Sequence, residues 1–214
     1  MVLKLYGFPM STCTQRALLA LHEKGVPYEM VEVQLHKGET KTPEFLANQP
    51  FGQVPYIDED GFILYESRAI ARYIAEKYAS QGTPNLLPTA DLKARALFEQ
   101  AASIETSDFD QYASHIVMEG LFKPMMGGTT DKAKVQDLTS TLSKKLDVYE
   151  QILGKQRYLS GDNITLADLF HVPYGVLLKR AGADVLDGRP NVKRWFDDMT
   201  SRPSWQAIKS GSAA

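Results

Sequence analysis

Cysteine is nearly absent from this chain: Cys13 is the single one among 214 residues. No internal disulfide can form, and the count fits a reducing compartment. Neither sign of charge is in excess. Lys plus Arg number 24 against 26 Asp plus Glu, for a formal net charge of -2, so bulk electrostatics gives no pull towards nucleic acid or an anionic membrane. No apolar run approaches the ~20 residues of a membrane span. The opening MVLKLYG alternates like a strand and lacks the apolar centre of a signal peptide, so a cytoplasmic location is expected. Repeats and low-complexity tracts are missing too. What is present is an ordinary globular composition, 43% hydrophobic and 23% charged, with length for one or two domains and a sizeable core.

The first part of the chain switches between two periods. Residues 2–6 and 28–34 alternate as strands, and residues 12–24 carry Ala17, Leu18 and Leu21 on one helical face. Gly25 stands where a helix C-terminal glycine belongs, after His22 and Lys24. A strand-helix-strand with such short joints implies a parallel pair with a right-handed crossover. A polar loop covers 35–45. Two short strands then follow, YID and FILY, about a turn at Asp58, Glu59, Asp60 and Gly61. The helix ESRAIARYIAEKY comes next, with Ile70, Tyr73, Ile74 and Tyr78 on one face. The order is βαβ, then ββα. SQGTPNLLP, 80–88, reads as a linker. Beyond it the pattern is helical only, over 90–121, 131–153, 165–180, 190–200 and 204–209. The expected organisation is an α/β domain at 1–79, a linker at 80–88 and an all-α domain at 89–214.

Three segments could carry chemistry. In FPMSTCTQRALLAL, Ser11 stands at a helix start, and Thr12 with Gln15 makes a capping-box pattern. A helix N-terminus also favours anions, so the Ser11 hydroxyl could either cap the helix or serve a bound thiolate. In GQVP, Pro55 cannot join a strand ladder, so the edge there is interrupted or the peptide bond is cis. The Val54 backbone beside it could pair with an extended peptide. In ESRAI, Ser67 is a good cap, yet its amide and hydroxyl could hold a carboxylate while Glu66 holds an ammonium. Taken singly, each segment fits a structural role. Together they suit a tripeptide with a central thiol, an amide backbone and an amino-plus-carboxylate head, which is the chemistry of glutathione.

With GFPMSTCTQRALLALHEKG, FGQVP and ESRAIARYIAEKY in the first part, and LDVYEQIL, YLSGDNITLADL and RPNVKRWFDDM in the second, the chain resembles the cytosolic glutathione transferases. The likeness is greatest to the phi class of plants and fungi. That resemblance implies a thioredoxin-like N-terminal domain, a helical C-terminal domain and a homodimer. By the same resemblance Ser11 stabilises the glutathione thiolate, and the Val54 backbone pairs with the cysteinyl unit ahead of a cis Pro55. Gln53 and Lys41 lie near the glycyl end, and Glu66 and Ser67 grip the γ-glutamyl head. Thr165 and Asp168 form a helix N-capping box, and Phe51 docks into the partner subunit. Many phi-class members carry His before the lysine. Thr40 stands here instead, which implies a weaker contact to the glycyl carboxylate.

The expected reaction is attack of the glutathione thiolate on a hydrophobic electrophile, with hydroperoxide reduction as a related activity and a detoxifying role. Glutathione is a co-substrate, and no cofactor or metal is expected. The electrophile pocket is expected between the domains, from Met10 beside the Ser11 loop and from Met118, Phe122, Met125 and Met126. Flexible thioethers suit a broad set of apolar substrates, although methionine stripes also serve as core filler. Cys13, ~200° round the helix from Ser11, is expected to be a packed thiol. Three other readings stay open at this point: a non-catalytic carrier of hydrophobic ligands, a Cys13-dependent thiol-disulfide oxidoreductase, and an interaction module of a larger assembly.

Overall fold

A computed structural model of the chain describes residues 2–211. Two compact units are present. One contains the chain up to Leu87 together with the stretch from Arg202 onward, and the other is Pro88–Ser201.

The first unit is built on a four-stranded sheet of order β2-β1-β3-β4. Strands β1 (Leu3–Gly7) and β2 (Tyr28–Glu32) are parallel and joined through α1 (Thr12–Lys24). Strand β3 (Tyr56–Glu59) runs antiparallel to β1 and to β4 (Phe62–Tyr65). Side chains alternate across a strand, so the ladder sorts the core by face. Leu5 and Ile57, paired across β1 and β3 and fully buried, share one face. Tyr6 and Tyr56 share the other, stacked at 4.4 Å, and pack with Val33 and Phe45. Helix α1 ends where Gly25 turns left-handed at φ 59°, its N–H closing on the His22 carbonyl, which a side chain would resist. Gly7 has a different reason to be glycine: a Cβ there would lie 2.7 Å from Thr14 Cγ2, so its absence lets α1 start close against the end of β1.

Several expectations are corrected here. The stretch 35–45 is not an open loop: it makes two short 3₁₀ turns and then α2 (Pro43–Asn48), capped by Thr42 and begun by its proline. The region read as a linker is tied down, with Leu86 and Leu87 buried in the first unit. The helical domain stops at Ser201 rather than running to residue 214. The last helix, α11 (Pro203–Ser210), belongs with the first unit because Arg202 and Ser204 bond the buried carboxylate of Glu23 at the end of α1. The remaining helix of this unit, α3 (Ser67–Lys77), buries Ile70, Ala71, Ile74 and Ala75.

The second unit is helical among its described residues. The span expected as one long helix over 90–121 is α4 (Leu92–Ile104), a π-helical stretch Glu105–Asp110, α5 (Gln111–Val117), a second π stretch Met118–Phe122 and α6 (Lys123–Met125). Next come α7 (Lys132–Leu153), α8 (Leu166–Leu169), α9 (Val172–Leu178) and α10 (Pro190–Ser201). Asp168 organises their core. Its fully buried carboxylate accepts from the backbone of Leu159 and Thr165 and from the Trp195 indole, each at 2.9 Å. Thr165 and Asp168 form the reciprocal capping box at the start of α8. Burial pushes the Asp168 carboxyl above the ordinary aspartate range, against the pull of those hydrogen bonds.

Candidate active site

The strand register decides what lies together. Tyr6 pairs with Tyr56, and Tyr56 pairs with Tyr65. The C-terminal ends of β1 and β4 and the N-terminal end of β3 therefore meet at one end of the sheet. The chain leaves β1 into Ser11, enters β3 from Val54 and Pro55, and leaves β4 into Glu66 and Ser67. Three segments separate in sequence, at residue 11, residues 54–55 and residues 66–67, are thus gathered at one sheet end.

Ser11 is half-buried and is the N-cap of α1. Its Oγ accepts from the Thr14 N–H at 3.4 Å, its own N–H donates to the Phe8 carbonyl at 2.8 Å, and its carbonyl accepts from Gln15 N at 2.9 Å. The capping pair is therefore not Thr12 with Gln15. The Gln15 amide turns back to the Pro9 carbonyl at 3.2 Å, and Thr12 is buried in the first turn. A hydroxyl has one proton and two lone pairs. Capping occupies a lone pair and leaves the proton, so the cap that is observed and the donor role are chemically compatible.

The segment before β3 is held from behind. The buried Gln49 side chain accepts from the Gln53 N–H at 3.2 Å, and Lys41 Nζ reaches the Gly52 carbonyl at 3.1 Å. The Val54–Pro55 bond is cis, and both residues lie outside the strands. Thr40 is buried next to the exposed Lys41, and Gln53 is exposed. At the third segment the N-cap of α3 is Glu66 rather than Ser67. Glu66 is exposed with φ 72° and ψ 109°, in the region that disfavours a side chain. Ser67 is the first helical residue, and its buried Oγ accepts from Arg16 Nη1 at 3.3 Å.

Two functional candidates escaped the sequence reading. One is Gln49, a glutamine 2% exposed, and the other is Arg16, 1% exposed in the middle of α1. A signal for Arg16 existed: a lone cation opens the otherwise apolar run RALLAL. Cys13 is half-buried rather than fully packed, and Arg16 Nη1 lies 3.8 Å from its sulfur. The apolar candidates divide between the units. Met10 is exposed in the first, while Met118 and Met126 are exposed and Phe122 half-buried in the second. Glu119 fastens the latter stretch, accepting from Lys123 and Lys134 and from the Asp131 N–H. Those partners, Lys123 first, hold its carboxyl down to about 2.

Residues 1–76 match the family model for the glutathione S-transferase N-terminal domain, and residues 111–203 match the one for its C-terminal domain. The chain belongs to the glutathione S-transferase family. It is 48% identical to glutathione S-transferase PM239X14 of Arabidopsis thaliana over 90% of this chain and 89% of that protein. Among solved structures, glutathione transferase F7 of Populus trichocarpa superposes with a TM-score of 0.94 at 42% identity, covering 100% of both chains. Glutathione S-transferase I from mais, in complex with an atrazine glutathione conjugate, matches with a TM-score of 0.91 at 38% identity over 98% of this chain and 97% of that one. The plant relatives at this level are phi-class enzymes, and the fold is the thioredoxin-like plus all-α arrangement of the family.

Proposed function

We propose that the protein is a glutathione transferase that binds glutathione across the end of its sheet and delivers the thiolate to hydrophobic electrophiles. The observation that carries this reading is the convergence of Ser11, Val54 and Ser67 through the Tyr6–Tyr56–Tyr65 register, in a chain of this family. Each segment answers one part of the tripeptide. The Ser11 hydroxyl proton, at the N-terminus of a 13-residue helix, meets the sulfur. The extended backbone at Gln53 and Val54 meets the cysteinyl amide. Glu66 meets the ammonium, and Ser67 with the α3 N-terminus meets the carboxylate of the γ-glutamyl head. Lys41, with Thr40 and Gln53, serves the glycyl end. Glutathione acts as co-substrate, and no further cofactor is needed for the transfer. On the second unit, Met118, Phe122 and Met126 lie on one stretch and are proposed to supply apolar side chains for electrophiles of varied shape; on the first, Met10 adjoins Ser11 in sequence and is proposed to flank the reacting sulfur. The proposal includes a cytoplasmic setting, where free thiols are kept reduced. Separately, no helix among the described residues is long and apolar enough to cross a membrane.

A turnover assay with glutathione, 1-chloro-2,4-dinitrobenzene, an isothiocyanate and cumene hydroperoxide tests the reading. Conjugation or peroxide reduction is expected, and inertness with every electrophile and hydroperoxide would leave a carrier. The contact between Arg16 and the Cys13 sulfur gives one competing chemistry, thiol-disulfide exchange through Cys13, a specific handle. Cys13→Ser is expected to leave conjugation within about twofold of the parent; a loss of ten times or more would move the chemistry to the cysteine.

The protein is further proposed to act as a homodimer. Phe51 is 65% exposed, with its ring 6.1 Å from that of Tyr65, and a protruding aromatic of this kind serves as an interface anchor. Phe51→Ala is expected to weaken self-association by about tenfold or more in sedimentation equilibrium. A mass distribution unmoved by the substitution would exclude this side chain from the contact.

A further inference from the structure

We propose that Arg16 is a positioning residue for glutathione: it orients the Ser67 hydroxyl so that its proton donates to the α-carboxylate of the γ-glutamyl head. The inference rests on the binding mode proposed above and adds to it a residue that does not itself touch the ligand.

A guanidinium carries five N–H donors and no acceptor. Between Arg16 Nη1 and Ser67 Oγ, 3.3 Å apart, the arginine must donate and the serine must accept. The hydroxyl thereby spends a lone pair on the interior of the protein, and its proton is left to point elsewhere. An isolated serine hydroxyl rotates freely; here the guanidinium holds one of the two lone pairs, which restricts where the proton can point. Accepting from a cation also polarises the O–H and strengthens its onward donation. An ionised carboxylate only accepts, so it is the partner that such a hydroxyl selects.

The surroundings make this more than a packing contact. Arg16 is 1% and Ser67 5% exposed, so the bond works in a medium where electrostatic interactions are strong. Ser67 opens the 11-residue helix α3, whose first N–H groups face an incoming anion. The Arg16 guanidinium bonds the first residue of that helix from the protein interior. Cys13 lies one helical turn before Arg16, and its sulfur, 3.8 Å from the same Nη1, packs against the guanidinium and limits its freedom. The construction repeats that of Ser11, where the Thr14 N–H occupies an oxygen lone pair. Both serines of the site are thus loaded from the protein side. One proton is left for the sulfur and one for the carboxylate.

The test compares two thiols on the full-length protein: glutathione, and γ-aminobutyryl-cysteinyl-glycine, which keeps the amine, the amides and the thiol but lacks that one carboxylate. Arg16→Met is expected to raise the KM for glutathione about tenfold, with kcat within about twofold, and to leave the KM for the decarboxy analogue unchanged. Arg16→Lys keeps the charge but loses the planar fork, and should fall between parent and Arg16→Met on glutathione alone. In a Ser67→Ala background, Arg16→Lys should add no further loss. Should Arg16→Met fail to fold, Arg16→Lys alone and in that background carries the comparison. Equal losses on both thiols, no loss on either, or full additivity with Ser67→Ala would each overturn the proposal. A parent protein that turns over no electrophile with glutathione would overturn the function itself, a result separable from all of these.

Discussion

Ser11→Ala is expected to lower kcat/KM for conjugation at pH 7 by roughly 10- to 100-fold, and to move the pH–rate profile towards that of free glutathione. A free thiol ionises at a pKa of about 8.5, so only a few per cent is thiolate at neutral pH. Lowering that value by about two units takes roughly 2.7 kcal/mol of differential stabilisation. A hydrogen bond to a charged group contributes about 1.5–3 kcal/mol and a helix N-terminus about 0.3–1. The alanine variant keeps the helix and loses the bond, hence the range. Because Ser11 also caps α1, the same change costs about 0.5–2 kcal/mol of stability, and melting must be followed alongside rate. Ser11→Asp separates the two effects. Aspartate caps as well as serine does but brings no proton and a negative charge beside the sulfur. It should melt like the parent and conjugate more slowly than Ser11→Ala. A pH–rate profile unchanged in Ser11→Ala would remove the hydroxyl from thiol activation.

The elements nearest this chemistry were the most legible in the sequence. Helix α1 runs over Thr12–Lys24 as read, because an N-cap serine and a C-terminal glycine bracket an apolar run. The β3–β4 hairpin was marked by Asp60 and Gly61, which turn at φ 54° and 88°. Helix α2 was hidden, since its six residues hold too little periodicity to stand out from a polar stretch. The π stretch at Glu105–Asp110 was hidden too: ETSDFD contains neither glycine nor proline, and tertiary packing alone sets its register. The sequence brought Ser11, Val54 and Ser67 to one sheet end, yet it could not show that Ser67 follows the cap instead of being it. That depends on Glu66 adopting a positive φ, and no residue preference announces a glutamate there. Arg16 and Gln49 bond to residues 51 and 4 positions away. The first is long-range and outside the reach of local patterning. The second is local, but a glutamine between an asparagine and a proline reads as ordinary loop.

Glu23→Ala is expected to destabilise the first unit by about 3–5 kcal/mol, for the same reason that α11 was assigned to the wrong domain. Glu23 ends α1 with a side chain 3% exposed. It accepts from Arg202 Nε at 2.6 Å and Nη2 at 2.7 Å, and from the Thr83 and Ser204 hydroxyls, both at 2.5 Å. One carboxylate therefore binds the end of α1, the 80–87 stretch and the start of α11. The Thr83 N–H returns to the Glu23 carbonyl at 2.8 Å, and Lys24 Nζ reaches the Thr83 carbonyl at 2.9 Å. Alanine would strip the acceptor from Thr83 and from the buried Ser204, and leave the Arg202 charge without its carboxylate. Burial alone would push the Glu23 carboxyl up, but the bonds from Arg202, Ser204 and Thr83 outweigh it and leave the group below its ordinary value. A depressed carboxylate stabilises the fold above its unfolded pKa of about 4.3, and that contribution is lost as the pH falls through the lower folded value. The melting gap between the parent and Glu23→Gln should accordingly be widest near pH 7 and narrow progressively below about pH 4. Limited proteolysis at pH 7 should cut Glu23→Gln near Arg202 and Lys209 sooner than the parent. A melting gap that stays constant down to pH 3, or an unaltered cleavage order, would show that packing rather than this carboxylate holds α11 to the first unit.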